Sequence, residues 1–276
     1  VAGPKAYQRR RPGGEHPELG ALVRETVDDL QDHLGEHLLA GVAPFGLTLV
    51  VVIAALLVGQ VLATVGLLGG MVAAIGVWLA AEQAVGSDGA GLLLLPVQLT
   101  WVSALFLGAG GFGAVLGGAL APVQASLSRA VAAHQRGESK LGPEAAFSTI
   151  GVRPLGAVVA GTLLGGLVVL GLFLCSLPAL AVPIALGFGP TLVALHPLGG
   201  LRALALSARH ALAHPSWAVP FGLAAAVLLV VSNQVPVLGP MFALSLQVRA
   251  HRYVFGDGEE PVLSADGSSS GDRNTQ

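Results

Sequence analysis

The sequence predicts an all-α protein, a polytopic transmembrane helical bundle, and three observations predict it. Only 11% of the 276 residues are charged while 53% are hydrophobic, and the mean hydropathy is +0.74; an ordinary soluble domain carries about 25% charged residues. The apolar residues are gathered into long runs at 40–126, 154–195 and 215–248, and a helix needs about 20 of them to cross the hydrocarbon layer. Stretches such as 47–57 and 157–174 do not alternate polar and apolar residues, as the strands of a membrane barrel would over about 10 residues, so they read as helices. This composition excludes a cytosolic enzyme, a secreted disulfide domain and a disordered chain. Cys175 is the sole cysteine, and a formal net charge of -2 leaves no global basic surface for nucleic acid.

The N-terminal residues 1–20 are polar, include Arg9, Arg10 and Arg11, and lack the apolar core of a secretory signal. Residues 18–39 follow as an amphipathic helix. Leu19, Leu22, Val23, Val27, Leu30, Leu34 and Leu38 recur at helical spacing, and Asp28, Asp29, Asp32 and Glu36 fill much of the rest. Such acidity disfavours contact with an anionic leaflet. It favours packing on the protein's own cytoplasmic loops or on a partner.

All fourteen Lys and Arg residues lie in four stretches: 5–24, 129–153, 202–209 and 249–273. Basic loops stay on the cytoplasmic side, so an even number of crossings separates each pair of stretches. Polar turns at 82–91, 175–178 and 233–239 carry no Lys or Arg and are assigned outside. The resulting topology has six crossings with both termini cytoplasmic. In it, 42–65 goes out, 95–126 returns, and 66–81 is an extra interfacial or re-entrant helix. The alternative has eight crossings, with 66–81 spanning fully and 92–126 broken at 108–113. Residues 197–214 form a second amphipathic helix on the cytoplasmic side. Residues 1–41 are thus a cytoplasmic N-terminal segment, 42–256 the transmembrane domain, and 257–276 a Gly-, Ser- and Asp-rich tail expected to be disordered.

Three further patterns concern helix packing. Pro44-Phe45-Gly46-Leu47 recurs as Pro220-Phe221-Gly222-Leu223, each at the start of a crossing, which suggests repeated hairpin units. Glycines four apart at Gly66/Gly70, Gly113/Gly117 and Gly161/Gly165 let helices approach closely. Pro178, Pro183 and Pro190 fall in one crossing and should kink it.

Candidate chemistry is sparse. His33-Leu34-Gly35-Glu36-His37 matches the HxxEH pattern, in which two histidines one helical turn apart bind Zn2+ beside a glutamate base. It lacks an evident third ligand, and a solvated polar face is the preferred reading. His210 and His214 are also four apart, and with His196 and His251 they could form a metal-binding cytoplasmic face; polar aromatic residues at helix ends are preferred here too. No cofactor, metal or catalytic residue is therefore expected. Gln60, Gln98 and Asn233 are the residues of a possible polar pathway. Ionisable groups within the membrane, the usual requirement for ion-coupled transport, are almost absent from the apolar runs.

The second half also resembles a group of bacterial six-helix integral membrane proteins, similar to the membrane domain of glycerophosphoryl diester phosphodiesterases. The resemblance rests on 178–209, where a proline-led helix precedes Gly199-Gly200, Ala203-Leu204 and Ser207. It rests also on 235–256 with Pro236, Gly239, Tyr253 and Gly256, and on the basic loop with Arg136-Gly137-Glu138. Arg202 stands where the group often has an acid, and Ala179 where it often has glycine. The resemblance covers about 45–256 and implies a six-helix bundle in a bacterial inner membrane, without phosphodiesterase activity. A predominance of arginine over lysine fits a GC-rich bacterial gene. The expected function is an envelope scaffold or membrane module, with membrane lipids and a cytoplasmic protein as partners and no nucleic acid. The alternative is a permease or lipid-handling protein.

Overall fold

The computed structural model describes residues 16–256 except 86, 146, 174–176, 233–234 and 236. Among the described residues there are nine helices and no strand: α1 (Leu19–Asp32), α2 (Leu34–Val85), α3 (Ser87–Gln135), α4 (Pro154–Phe173), α5 (Leu177–Leu186), α6 (Gly189–Leu195), α7 (Gly200–Ala213), α8 (Pro215–Ser232) and α9 (Leu238–Phe255). The fold class is all-α. Among the described residues, three segments are long and apolar enough to cross a membrane: Leu34–Val58 in α2, Val102–Gln135 in α3, and Pro154–Leu172 in α4. Shorter apolar helical segments cover Leu68–Ala80, Ala179–Leu195 and Pro215–Val227.

Helix α2 runs to Val85 and α3 starts at Ser87, so the described residues of the turn expected over 82–91 are helical. Of the turn expected at 175–178, residues 175–176 lie outside the described residues and 177–178 belong to α5, while α8 and α9 part between 232 and 238, where the polar turn 233–239 was expected. Three further expectations need correction. Residues 66–81 are not a separate helix but the continuation of α2, whose 52 residues extend about 78 Å at 1.5 Å per residue. Nothing between 65 and 66 supplies a turn residue pair, and an all-apolar stretch propagates the helix it joins. Helix α3 likewise runs unbroken through 108–113, as the eight-crossing alternative would not allow. The proline-rich segment is divided rather than kinked. Helix α5 ends at Leu186, Gly187 N–H donates to Pro183 O, and Pro190 opens α6 in its first turn, where a missing N–H costs nothing.

The glycine spacing is used as the sequence suggests. Gly113 and Gly117 on α3 face Gly161 and Gly165 on α4, and a Cβ added at any of the four would overlap a backbone carbonyl of the opposite helix. Backbone-to-backbone contact at these positions brings long rows of atoms within dispersion range. Both copies of the PFGL sequence lie within helices, Pro44 inside α2 and Pro220 inside α8.

The buried core lies at one end of the long helices. One cluster joins Leu22 of α1, Ala121 and Ala125 of α3, Leu192 of α6, Leu204 of α7, and Leu246 and Phe255 of α9. A second joins Ala40 of α2, Val131 of α3, Leu141 of the α3–α4 loop, and Met241 and Val248 of α9. Helix α1 packs on α9 through Leu22, while Asp28 and Asp32 stay exposed. The amphipathic pattern thus covers the protein's own last helix.

Candidate functional site at the histidine-rich end

All eight histidines of the sequence gather at this packed end, in three groups. The first forms where α1, α2 and α3 meet. The chain breaks at His33 (φ -124°, ψ 31°) instead of continuing one helix over 18–39. The break separates the two histidines of the HxxEH pattern, which is the correction to that reading. His37 enters the core with 0% exposure, while the His33 ring is 43% exposed and caps back onto Asp29 O at 3.2 Å.

The partners of His37 come from elsewhere in the chain. Its Nε2 is 3.9 Å from Asp29 Oδ2, and the His134 ring stands at right angles to it, 5.5 Å between centroids. His134 Nε2 lies 3.7 Å from Asp29 Oδ1. Suitable ligand atoms of Asp29, His37 and His134 all fall within 4.8 Å of one another. Helix α3 ends here in a Schellman-type turn. Gly137 adopts φ +74°, and the N–H groups of Gly137 and Glu138 donate to the carbonyls of His134 and Ala133. Glycine is the residue that takes this left-handed conformation without strain. The turn brings Ser139 O to 3.3 Å from His134 Nδ1, and Glu36 Oε2 is 3.7 Å from the same nitrogen. Glu36 also accepts the Leu141 N–H at 3.1 Å. Arg249 of α9 closes the group, donating to Asp29 Oδ2 at 3.0 Å and reaching Glu25 at 3.5 Å.

The four-histidine face proposed from the sequence divides into two pairs. His196 and His251 bond to each other, Nε2 to Nε2 at 3.0 Å, so one donates and the other accepts. His210 and His214 pack with His16 and Trp217. Phe188 and Phe255 touch both pairs, with Phe255 centroids 5.1 Å from His210 and 5.0 Å from His251. Burial, followed by the charges of His16 and His214, pushes the His210 imidazole down to about 4. Burial and then His214 lower His16 as well. Both groups are held neutral at pH 7 because desolvation disfavours the imidazolium.

Other polar side chains of this end bond to backbone carbonyls of neighbouring segments. Arg129 donates to Ala194 O, Thr149 O and Val152 O at 2.8, 2.9 and 2.8 Å. Gln135 reaches Ser245 O, Ser207 reaches Ala185 O, Trp217 Nε1 reaches Pro17 O, and Gln247 reaches Gly187 O. Of the possible polar pathway, Gln60 is exposed on the outside of α2. Asn233 and the Gln98 side chain lie outside the described residues.

Sequence reasoning placed Asp29 on an acidic face, without linking it to His37 or to His134. The HxxEH pattern pointed to the region. The contact across 97 positions, from 37 to 134, leaves no mark in a single sequence. In comparisons with known proteins, no family model, no characterised protein and no solved structure matches this chain.

Proposed function

We propose that the chain is a multi-pass bacterial inner-membrane protein that serves as an envelope scaffold or as the membrane module of a partner protein. In this reading α2, α3, α4, the α5–α6 pair, α8 and α9 make six crossings, both termini are cytoplasmic, and α1 and α7 are the cytoplasmic amphipathic helices. The basic residues Arg129, Arg153, Arg202, Arg209 and Arg249 occupy the packed end, and the rule that keeps basic loops inside makes that end cytoplasmic. The resemblance to bacterial six-helix membrane proteins supports the same count.

The observation that carries the functional reading is how the polar groups are used. Arg129, Gln135, Ser207, Trp217 and Gln247 each cross-link neighbouring segments through backbone carbonyls. That is what a rigid platform needs, because each bond fixes one segment to the backbone of another and satisfies a carbonyl acceptor there. The faces left over are acidic on α1 (Asp28, Asp32) and apolar on α2. Exposed apolar residues run along α2 from Leu49 to Leu79, about 45 Å of helix, against about 30 Å of hydrocarbon. The surplus calls for tilt or for protein cover.

Photo-crosslinking tests this reading. The full-length chain with a photoreactive residue at Val72 or at Asp28 is irradiated in native membranes and purified. A discrete, stoichiometric adduct to a second protein is expected at one position or both. Repeated recovery of the chain alone, or of lipid adducts alone at both positions, would overturn the reading.

A further inference from the structure

We propose that Asp29, His37 and His134 form a binding site for one divalent transition-metal ion of the Zn2+ class, and that the ion pins α1 to the base of the α2–α3 pair. The proposal is independent of the scaffold reading. It holds whatever the membrane arms contact.

Three observations converge. The first is the ligand set. Two imidazoles and a carboxylate, one from each of three helices, offer atoms within 4.8 Å of one another. Two metal–ligand bonds of about 2.1 Å span at most about 4.2 Å. The separations of 3.7 Å and 3.9 Å from Asp29 to His134 and His37 therefore fit a shared ion, and a small rotation of either ring closes the rest.

The second is His37 itself. Its side chain is 0% exposed, and neither Nδ1 nor Nε2 has a hydrogen-bond partner. Buried polar atoms are nearly always partnered. An imidazole that faces a carboxylate at 3.9 Å, too far for a hydrogen bond, is placed for a cation between the two.

The third is the set of acceptors around His134. Ser139 O, which can only accept, faces Nδ1 at 3.3 Å, and Glu36 Oε2 stands 3.7 Å from the same nitrogen. Nδ1 therefore carries the proton in the neutral ring, and Nε2 presents a lone pair toward Asp29 Oδ1. Nε2 is buried without a hydrogen-bond partner. In that tautomer the Nε2 lone pair and Asp29 Oδ1, 3.7 Å apart, are arranged as two ligands of one cation. A carboxylate or carbonyl behind the non-ligating nitrogen is the usual way proteins orient a metal-binding histidine. Glu36 thus acts behind His134 as a positioning residue and not as the base of an HxxEH protease. Arg249 donates to Asp29 Oδ2, the oxygen that His37 Nε2 also faces, and so orients the carboxylate with Oδ1 toward His134.

The experiment uses untagged full-length protein in detergent, stripped with chelator and titrated with Co2+ and Zn2+. One saturable equivalent is expected. Co2+ should give the ligand-field bands of a four-coordinate N/O site, and Zn2+ should displace it and raise the unfolding temperature. Asp29→Asn, His37→Gln and His134→Gln should each abolish that equivalent. Glu36→Gln should weaken it about 10- to 100-fold, and His210→Gln should leave it unchanged. Absence of a saturable Co2+ signal in the wild type overturns the proposal without reference to any variant. So does loss of binding in His210→Gln with retention in His134→Gln, or binding that depends on His33 and not on His134. If His37→Gln does not fold, as judged by circular dichroism and gel filtration, Glu36→Gln and Asp29→Asn decide.

Discussion

The packed end and the membrane arm are built from the same residue types under opposite rules. At the packed end, Leu22, Leu192, Val193 and Leu246 are each at most 1% exposed, and polar side chains are spent on specific backbone acceptors. Along α2, Val50, Val61, Val65 and Val72 are 63–72% exposed, and their environment is whatever solvent or partner surrounds the helix. In the first region a side chain is constrained by shape. In the second it is constrained only by polarity. Substitutions that keep polarity but change shape should therefore separate the two.

The largest separation is expected at glycine. Gly117→Val puts side-chain atoms against the Gly161 backbone, which cannot rotate away. Overpacking a tight contact costs about 1–3 kcal/mol and sometimes more; with backbone on both sides, about 3 kcal/mol or above is expected. Gly161→Val should behave alike. A Cβ at Gly76 meets nothing within 4 Å, so Gly76→Ala should cost no stability and should add up to about 1 kcal/mol through helix propensity. Fractions surviving a temperature series in detergent measure both. Equal losses at Gly117 and Gly76 would break the distinction between the regions.

How much of this was legible in the sequence follows the same division. Hydropathy reports polarity, so the long apolar helices and the break near 233–239 could be read directly, whereas the described residues of 82–91, expected as a turn, are helical. The Gly113/Gly117 and Gly161/Gly165 spacing pointed to close approach because four residues make about one turn. Where one helix ends inside an apolar stretch was not legible. Residues 66–81 continue α2 because nothing polar interrupts them, and Pro190 starts a helix where three prolines suggested a bent one. The histidine clusters were half visible. His33 and His37 signalled the region by local spacing. The break at His33, and the arrival of His134 from the end of α3, depend on a Schellman turn at Gly137 and on long-range packing, which hydropathy does not encode.

A middle-sized effect is expected at Arg129. Its three carbonyl contacts tie α3 to α6 and to the loop before α4. Hydrogen bonds from a charged donor contribute about 1.5–3 kcal/mol each in favourable cases, but this side chain is only partly buried and the bonds share one desolvation. Arg129→Met should therefore cost about 2–3 kcal/mol in all. It should also expose the loop, so limited proteolysis within 140–153 should accelerate before global unfolding does. Unchanged cleavage with lowered global stability would show that Arg129 acts within α3 alone.

The smallest effect, and the most particular to the packed end, is a dependence on pH. His210 is held near 4 against an unfolded value of 6.5, chiefly by burial. The unfolded chain therefore binds the proton more readily than the folded one, and stability rises with pH across that interval. The His210 contribution is fully present above pH 6.5 and is lost as pH falls toward 4. His16 shifts in the same direction and adds to the trend. Thermal unfolding in detergent should show a midpoint that declines between pH 6.5 and 4. His210→Phe keeps the ring among Phe188, Trp217 and Phe255 and removes the titration, so its decline should be shallower. An identical slope in the variant would move the pH sensitivity to another histidine group and leave His210 as an aromatic spacer.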